Sequence, residues 1–308
     1  MIFILRKISS LLSVFFKNDL SRIIIKDKKI INYIKKKLKK KKNINLKKTH
    51  IYFNDQLYDI IDKGDLKSFL RYSFIQKIFF VHNRFFIFKE LNKLKKNNNW
   101  KFYKKLLIED NVGNPVRYFL YPKSSGNKIN HVYHLSVLSE YSQINLKKIN
   151  YVFEFGGGYG CMARIFSKIN KNVKYYLFDT EIVNLLQYYY LKHNNLDVGF
   201  DHQKKIVLKN KFNKINKSFK NNSLFIANWS LSETPINFRK RIISIMKKYK
   251  YVLISFQENF ENINNKKYFY KIKSELKKQY KISIILNKYY KGSILRPQNH
   301  YFFIAKKL

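Results

Sequence analysis

Phe153-Glu154-Phe155-Gly156-Gly157-Gly158-Tyr159-Gly160-Cys161-Met162-Ala163 places four of the chain's nine glycines within five positions. Residues 151–155 before the turn are a short apolar run rich in aromatic side chains, and residues 160–170 after it repeat apolar positions at helical spacing. Strand, bare turn, helix is the order in which a backbone can bend sharply beside a ligand with no Cβ in the way. The start of the helix then offers unpaired N–H groups. The spacing excludes one class of ligand. A dinucleotide fingerprint requires Gly-x-Gly-x-x-Gly, and the position of its third glycine, counted from Gly156 and Gly158, holds Cys161. What remains is Glu154-x-Gly156-x-Gly158-x-Gly160.

Outward from this turn, β-type runs at residues 174–179, 223–228 and 251–257 alternate with amphipathic segments at about 181–193 and 236–249. Residues 205–208 are the candidate for one more strand. Such alternation implies βαβ crossovers and a doubly wound parallel sheet. Residues 281–286 and 300–305 leave no room for a helix between them and are expected to pair antiparallel. Residues 20 to about 110 carry almost no Gly or Pro and group apolar side chains at helical spacing, as in Leu57, Ile60 and Ile61. Asp110-Asn111-Val112-Gly113-Asn114-Pro115, Pro122 and Ser124-Ser125-Gly126-Asn127 mark a loop-rich segment leading to a helix at about 129–144. The expected fold class is therefore α/β: a Rossmann-like doubly wound sheet with a C-terminal antiparallel β-hairpin, plus an α-helical N-terminal region. The expected division is 1–110, helical and basic, and 111–308, ligand-binding.

Two further elements belong with the glycine turn. Asp179 ends the run 174–179, nineteen residues past Gly160, where a carboxylate either caps the next helix or accepts both hydroxyls of a ribose. Phe225-Ile226-Ala227-Asn228-Trp229-Ser230-Leu231-Ser232-Glu233-Thr234-Pro235 leaves a strand at the carboxyl edge of the sheet, where α/β proteins bind ligands. Asn228, Trp229, Ser232 and Glu233 are expected to look into that cleft. Ser232 or Thr234 is also placed to cap the following helix, with Pro235 as its first residue.

The acidic-x-Gly-x-Gly-x-Gly form resembles the first motif of the class I S-adenosylmethionine-dependent methyltransferases. Phe178-Asp179, Trp229-Ser230-Leu231-Ser232-Glu233, Gly113-Asn114-Pro115 and His131-Val132-Tyr133-His134-Leu135 extend the resemblance, over about residues 100–308, to the sugar O-methyltransferases. Thr180 departs from that pattern, which has a Leu-Pro type continuation after Phe-Asp. The resemblance implies S-adenosyl-L-methionine as cofactor, with Glu154 near its methionine amino end and Gly156, Gly157, Gly158, Tyr159 and Gly160 walling it. Asp179 takes its ribose, and Asn228 and Trp229 stand beside its methyl group. It further implies transfer to a sugar hydroxyl, in polysaccharide or glycolipid biosynthesis. A hydroxyl is a weak nucleophile, and a general base adds about 10² to 10⁴-fold. The candidates are His131 and His134, one helical turn apart on the helix before the first strand, with Glu233 and His300. The histidine pair is favoured because that helix is expected to fold over the cleft. No carboxylate cluster resembles a magnesium site, so no metal is expected.

Charge bears on the acceptor. Lys+Arg number 63 against 19 Asp+Glu, a formal +44, and only nine of the 63 are Arg. Clustered basic groups release counterions from nucleic acid, which motivates an RNA methyltransferase as the alternative. Arg, whose planar fork reads phosphates and base edges best, is scarce. Lys, Asn and Ile are abundant together, as in residues 43–48 and 214–217, which fits drift toward AT-rich codons over a solvated surface. Nucleic acid is accordingly not the favoured partner. The single Cys161 excludes an internal disulfide and suits a reducing, cytoplasmic compartment. No run approaches the roughly 18 apolar residues of a membrane span. Residues 1–17 place Met1, Ile4, Leu5, Ile8, Leu11, Leu12 and Phe15 on one helical stripe. This helix either docks on its own domain or, with the Lys35 to Lys48 cluster, touches the inner face of an anionic membrane. A non-catalytic, membrane-docking adaptor with a decayed fold is the third possibility, and the intact Glu154 and glycine set argues against it.

Overall fold

The computed structural model describes residues 21–38, 48–79, 84–212, 219–292 and 297–308. The amphipathic helix expected over residues 1–17, and residues 39–47 of the lysine cluster, lie outside them. The chain divides into two compact units, one of Met1–Tyr133, Gly158–Arg164 and Thr180–Gly199, the other of His134–Gly157, Ile165–Asp179 and Phe200–Leu308.

The first unit is mostly helical, as the scarcity of Gly and Pro implied. It contains α1 (Ser21–Leu38), α2 (Lys48–Lys63), α3 (Ser73–Phe79), α4 (Phe85–Lys95) and α5 (Trp100–Leu106). Each of the longer helices buries one apolar stripe: Ile30, Ile34 and Leu38 on α1, Leu57 and Ile61 on α2, Ile87, Leu91 and Leu94 on α4. Residues 117–125, which composition marks as loop, form a small antiparallel hairpin, β1 (Arg117–Tyr118) with β2 (Tyr121–Ser125). Tyr118 is fully buried, and that nonlocal burial outweighs the turn-forming composition. The helix α6 (Gly126–Ser142) follows at once. Near its start, fully buried Lys128 pairs with Glu109 at 2.7 Å and Asp110 at 2.9 Å, and Asp110 also pairs with Arg164 at 2.7 Å. A buried ammonium is tolerable because it is matched in this way.

The second unit holds β3 (Tyr151–Phe155), most of α7 (Cys161–Ile169) and β4 (Lys174–Phe178). The next helix, α8 (Glu181–His193), belongs to the first unit, where Tyr189 donates to Asp27 of α1 at 2.8 Å. The second unit resumes with β5 (Ile206–Lys209), β6 (Phe219–Asn228), α9 (Ile236–Met246), β7 (Tyr249–Gln257), α10 (Asn265–Leu276), β8 (Tyr280–Leu286) and β9 (His300–Lys307). The strand order is β8-β9-β7-β6-β3-β4-β5. From β7 through β5 neighbours are parallel, and β9 runs antiparallel to both β7 and β8. The fold is thus α/β with a mostly parallel sheet and a C-terminal antiparallel pair, as expected.

Near-continuous apolar runs are what a sheet covered on both faces requires. On one face Phe153, Phe155, Phe225, Ala227, Val252, Ile254 and Phe256 pack with Ile242, Ile243 and Met246 of α9 and Phe269, Ile272 and Leu276 of α10. On the other, Phe166 of α7 meets Tyr175 of β4 at 5.8 Å. The sequence reading omitted α10, whose run Asn-Lys-Lys-Tyr-Phe-Tyr-Lys-Ile-Lys-Ser-Glu-Leu has only a sparse apolar stripe. Its start is legible in retrospect, because the Asn264 side chain accepts from the Lys267 amide. The cap expected for α9 is corrected. Pro235 is the cap residue, the Ser232 hydroxyl donates to Gln257 at 2.8 Å, and Thr234 donates back to the Leu231 carbonyl. Among the described residues, no helix is long and apolar enough to cross a membrane.

Candidate active site

Strands β3, β4 and β6 run parallel and end at one edge, at Phe155, Phe178 and Asn228. Strand order reverses there, with β4 and β5 to one side of β3 and β6 and β7 to the other. Open α/β sheets bind ligands at such a reversal, outside the carboxyl ends of the strands. The main chain ties the glycine turn to the next strand, since the Gly156 amide donates to the Phe178 carbonyl at 2.8 Å. Asp179 follows directly, with its own amide bonded to the Lys209 carbonyl at 2.9 Å. The start of the glycine turn and Asp179 therefore adjoin. Asp179 is partly exposed, and the cap position of α8 belongs to Thr180.

Glu154 points inward from β3. It is 2% exposed, and its carboxyl accepts from Tyr175 at 2.8 Å. Burial raises its pKa to about 8, against the Tyr175 hydrogen bond, and the nearby Asp179 charge raises it further.

The glycines have a more specific reason than ligand access. A Cβ on Gly156, whose φ is +70°, would stand 2.2 Å from Ser230 Cβ. One on Gly157 would stand 2.2 Å from Leu177 and 2.8 Å from the Glu154 carboxyl. The turn is bare because the protein's own strand tips close on it, and the Ser230 hydroxyl bonds to the Phe155 carbonyl. Gly158, Tyr159 and Gly160 belong to the first unit. There Gly158, at φ +53°, accepts from Gln187 through its carbonyl, and a Cβ on Gly160 would touch Leu191. Tyr159 is 1% exposed, accepts from Asn127 at 2.9 Å and meets Tyr190 edge-on, so its ring is part of that unit's core. His131 also belongs to the first unit, partly buried, with burial pushing its pKa down to about 4.

The remaining predicted residues converge in the second unit. Asn228 ends β6 and its side-chain oxygen accepts from Ser255 of β7 at 2.9 Å. The Ser255 oxygen lies 3.3 Å from His134 Nδ1. Because the Ser255 proton is directed at Asn228, this geometry assigns the His134 proton to Nδ1. His134 itself is fully buried, edge-on to Trp229 at 5.0 Å and to Phe302 at 4.9 Å. Trp229 is partly exposed at φ +53°, and its indole N–H donates to His300 Nδ1 at 3.1 Å. Glu233 lies on the short helical turn Leu231–Glu233 and is exposed, while its carboxyl turns in to accept from Gln257 at 3.2 Å. Burial of that carboxyl raises its pKa to about 7, against the Gln257 hydrogen bond.

No protein-family model and no curated protein matches the chain. Many solved structures are similar to this chain, three of them as follows. The methyltransferase domain of bacterial CtHen1 is 12% identical, over 57% of this chain and 97% of that one, at a TM-score of 0.41. A ribosomal protein L11 methylase from Lactobacillus delbrueckii subsp. bulgaricus is 13% identical over 58% and 80%, at 0.38. The mitomycin 7-O-methyltransferase MmcR is 11% identical over 72% and 72%, at 0.37.

Sequence reasoning left Tyr175, Ser255 and Gln257 out of the site. Each is an ordinary strand residue whose role comes from the strand beside it. Among the described residues, no group of three or more His, Cys, Asp or Glu is placed to hold a metal ion.

Proposed function

We propose that the protein is an S-adenosylmethionine-dependent O-methyltransferase acting on a sugar hydroxyl, in the assembly of a polysaccharide or glycolipid. One observation carries the reading: the Gly156 amide bonds Phe178, the last residue of β4 and the neighbour of Asp179, so the acidic-x-Gly turn and the second carboxylate stand side by side where the sheet's strand order reverses. The donor set suits the group. The nearby Asp179 charge raises the cost of ionising Glu154, and a cation beside the pair relieves it. Asp179 would hold the ribose hydroxyls, and Glu154 with the peptide groups of Gly156 and Gly157 would face the methionine end. When bound, the cofactor supplies a methyl group on a positively charged sulfur.

The chain's own work is positioning and proton removal. Alignment of two reactants can supply as much as about 7–11 kcal/mol of a barrier. Glu233 takes the hydroxyl proton. Its carboxyl is oriented by Gln257, the residue reaches solvent, and a pKa near 7 matches a general base at neutral pH. His134 is enclosed and orients Asn228 through Ser255. The work is placed in the cytoplasm, and contact with an anionic membrane through residues 1–17 and the lysine cluster would bring the enzyme to lipid-linked glycans.

Calorimetric titration with S-adenosylhomocysteine tests the donor site. Wild type should bind, and Asp179→Ala should weaken binding at least tenfold by leaving the ribose hydroxyls without their acceptor. Equal affinity would refute the placement. Tritiated methyl transfer to glycan and RNA fractions tests the acceptor, and label in RNA alone would refute the sugar.

A further inference from the structure

Trp229 combines features that packing alone does not require. A large non-glycine residue at φ +53° is strained, and such strain collects at functional sites when the surroundings enforce it. Here the surroundings do enforce it. The Trp229 amide donates to the Ser255 carbonyl at 2.8 Å, and the indole N–H is received by His300 Nδ1 at 3.1 Å. Yet the residue stays partly exposed. The polar end of the ring is thus occupied by the protein, leaving its apolar surface as what a ligand could meet. Beside it, the Asn228 side-chain oxygen is taken by Ser255, while Asn228 Nδ2 is buried with no hydrogen-bond partner among the described residues.

His300 lies 71 residues further along, at the first position of β9, and is 6% exposed. Since its Nδ1 accepts from Trp229, the neutral ring carries its proton on Nε2. Nε2 is likewise buried, with no partner among the described residues. Tyr290 packs on the His300 ring at 4.3 Å and edge-on to Trp229 at 5.7 Å. What the ring offers Trp229 is the acceptor at Nδ1.

We propose that His300 is a positioning residue for the acceptor: through Nδ1 it fixes the Trp229 indole as a platform for the C–H face of a pyranose ring. This rests on the methyltransferase reading above and assigns its acceptor side. An indole face carries no formal charge and suits the apolar C–H face of a sugar; a phosphate would be met better by Arg or Lys.

The chain has two tryptophans, Trp100 and Trp229, so Trp100→Phe leaves emission from Trp229 alone. In that background, gluco-, galacto-, manno- and rhamnopyranosides are titrated against Trp229 emission with S-adenosylhomocysteine present. At least one should alter the emission saturably. His300→Phe should raise that sugar's Kd tenfold or more while changing S-adenosylhomocysteine affinity less than twofold, and His300→Gln, which offers the indole an oxygen, should restore most of it. In turnover with that sugar, His300→Phe should move KM far more than kcat. Failure of every pyranoside, or unchanged sugar affinity in His300→Phe, overturns the inference while S-adenosylhomocysteine binding still stands. A parallel loss of donor and sugar affinity also overturns it, by making His300 merely structural. Absence of S-adenosylhomocysteine binding in the wild type would instead refute the parent reading.

Discussion

Glu154→Gln should change the pH dependence of folding stability in a defined direction. In the folded chain burial holds the Glu154 proton up to about pH 8, whereas the exposed carboxyl of an unfolded chain loses it near its ordinary 4.5. Between those values the folded state binds more protons than the unfolded one, so this group's contribution is complete below about pH 4.5 and is lost as pH rises through about 8. At about 1.4 kcal/mol per pH unit of that interval, the loss approaches about 5 kcal/mol. Glutamine keeps an oxygen for the Tyr175 hydroxyl and has no proton to lose. The two proteins should therefore be similar in stability near pH 5, with the variant gaining on wild type by several kcal/mol by pH 8.5. Other buried groups titrate too, Glu90 rising to about 8 and His131 and His300 falling to about 4, but they cancel in the difference between the two proteins. Urea denaturation followed by tryptophan emission at half-unit steps measures that difference. A gap constant to within about 0.5 kcal/mol from pH 5 to 8.5 would refute the assignment of Glu154 as a buried, neutral carboxyl.

Gly156→Ala puts a Cβ at φ +70° and 2.2 Å from Ser230; left-handed backbone strain and overpacking together should destabilise the chain by about 2–4 kcal/mol, read from the urea midpoint. An unchanged midpoint would mean that the strand tips do not close on the turn. If Glu233 is the base, kcat/KM should rise with pH through about 7, the value to which burial brings its carboxyl. Glu233→Gln should lower the rate by about 10² to 10⁴-fold and abolish that limb of the profile, and a retained limb would return the role to a histidine.

Local patterns carry much of this protein's architecture. The β-type runs at 151–155, 174–179, 223–228 and 251–257 became strands within a few residues of their expected bounds, because a strand covered on both faces must be apolar along its length. The C-terminal runs paired antiparallel because too few residues separate them for a crossover helix. Where propensity and packing disagreed, packing decided: residues 117–125 look like loop but bury Tyr118 in a hairpin, and α10 needs only Phe269, Ile272 and Leu276 to dock.

The candidate site was picked out in sequence by residue type and spacing, and its couplings were not. Glu154, Gly156, Asp179 and Trp229 stand out by type and spacing, since a bare turn and carboxylates at strand ends are local signals. That Ser230 fills the space over Gly156, that Tyr175 turns Glu154 inward, and that His300 receives the indole of Trp229 are consequences of which strands lie side by side. Strand β9 reaches its place only by entering between β7 and β8, an arrangement that buries surface across 71 residues of chain. No periodicity within a short window encodes a contact at that distance; it exists only once the sheet has formed.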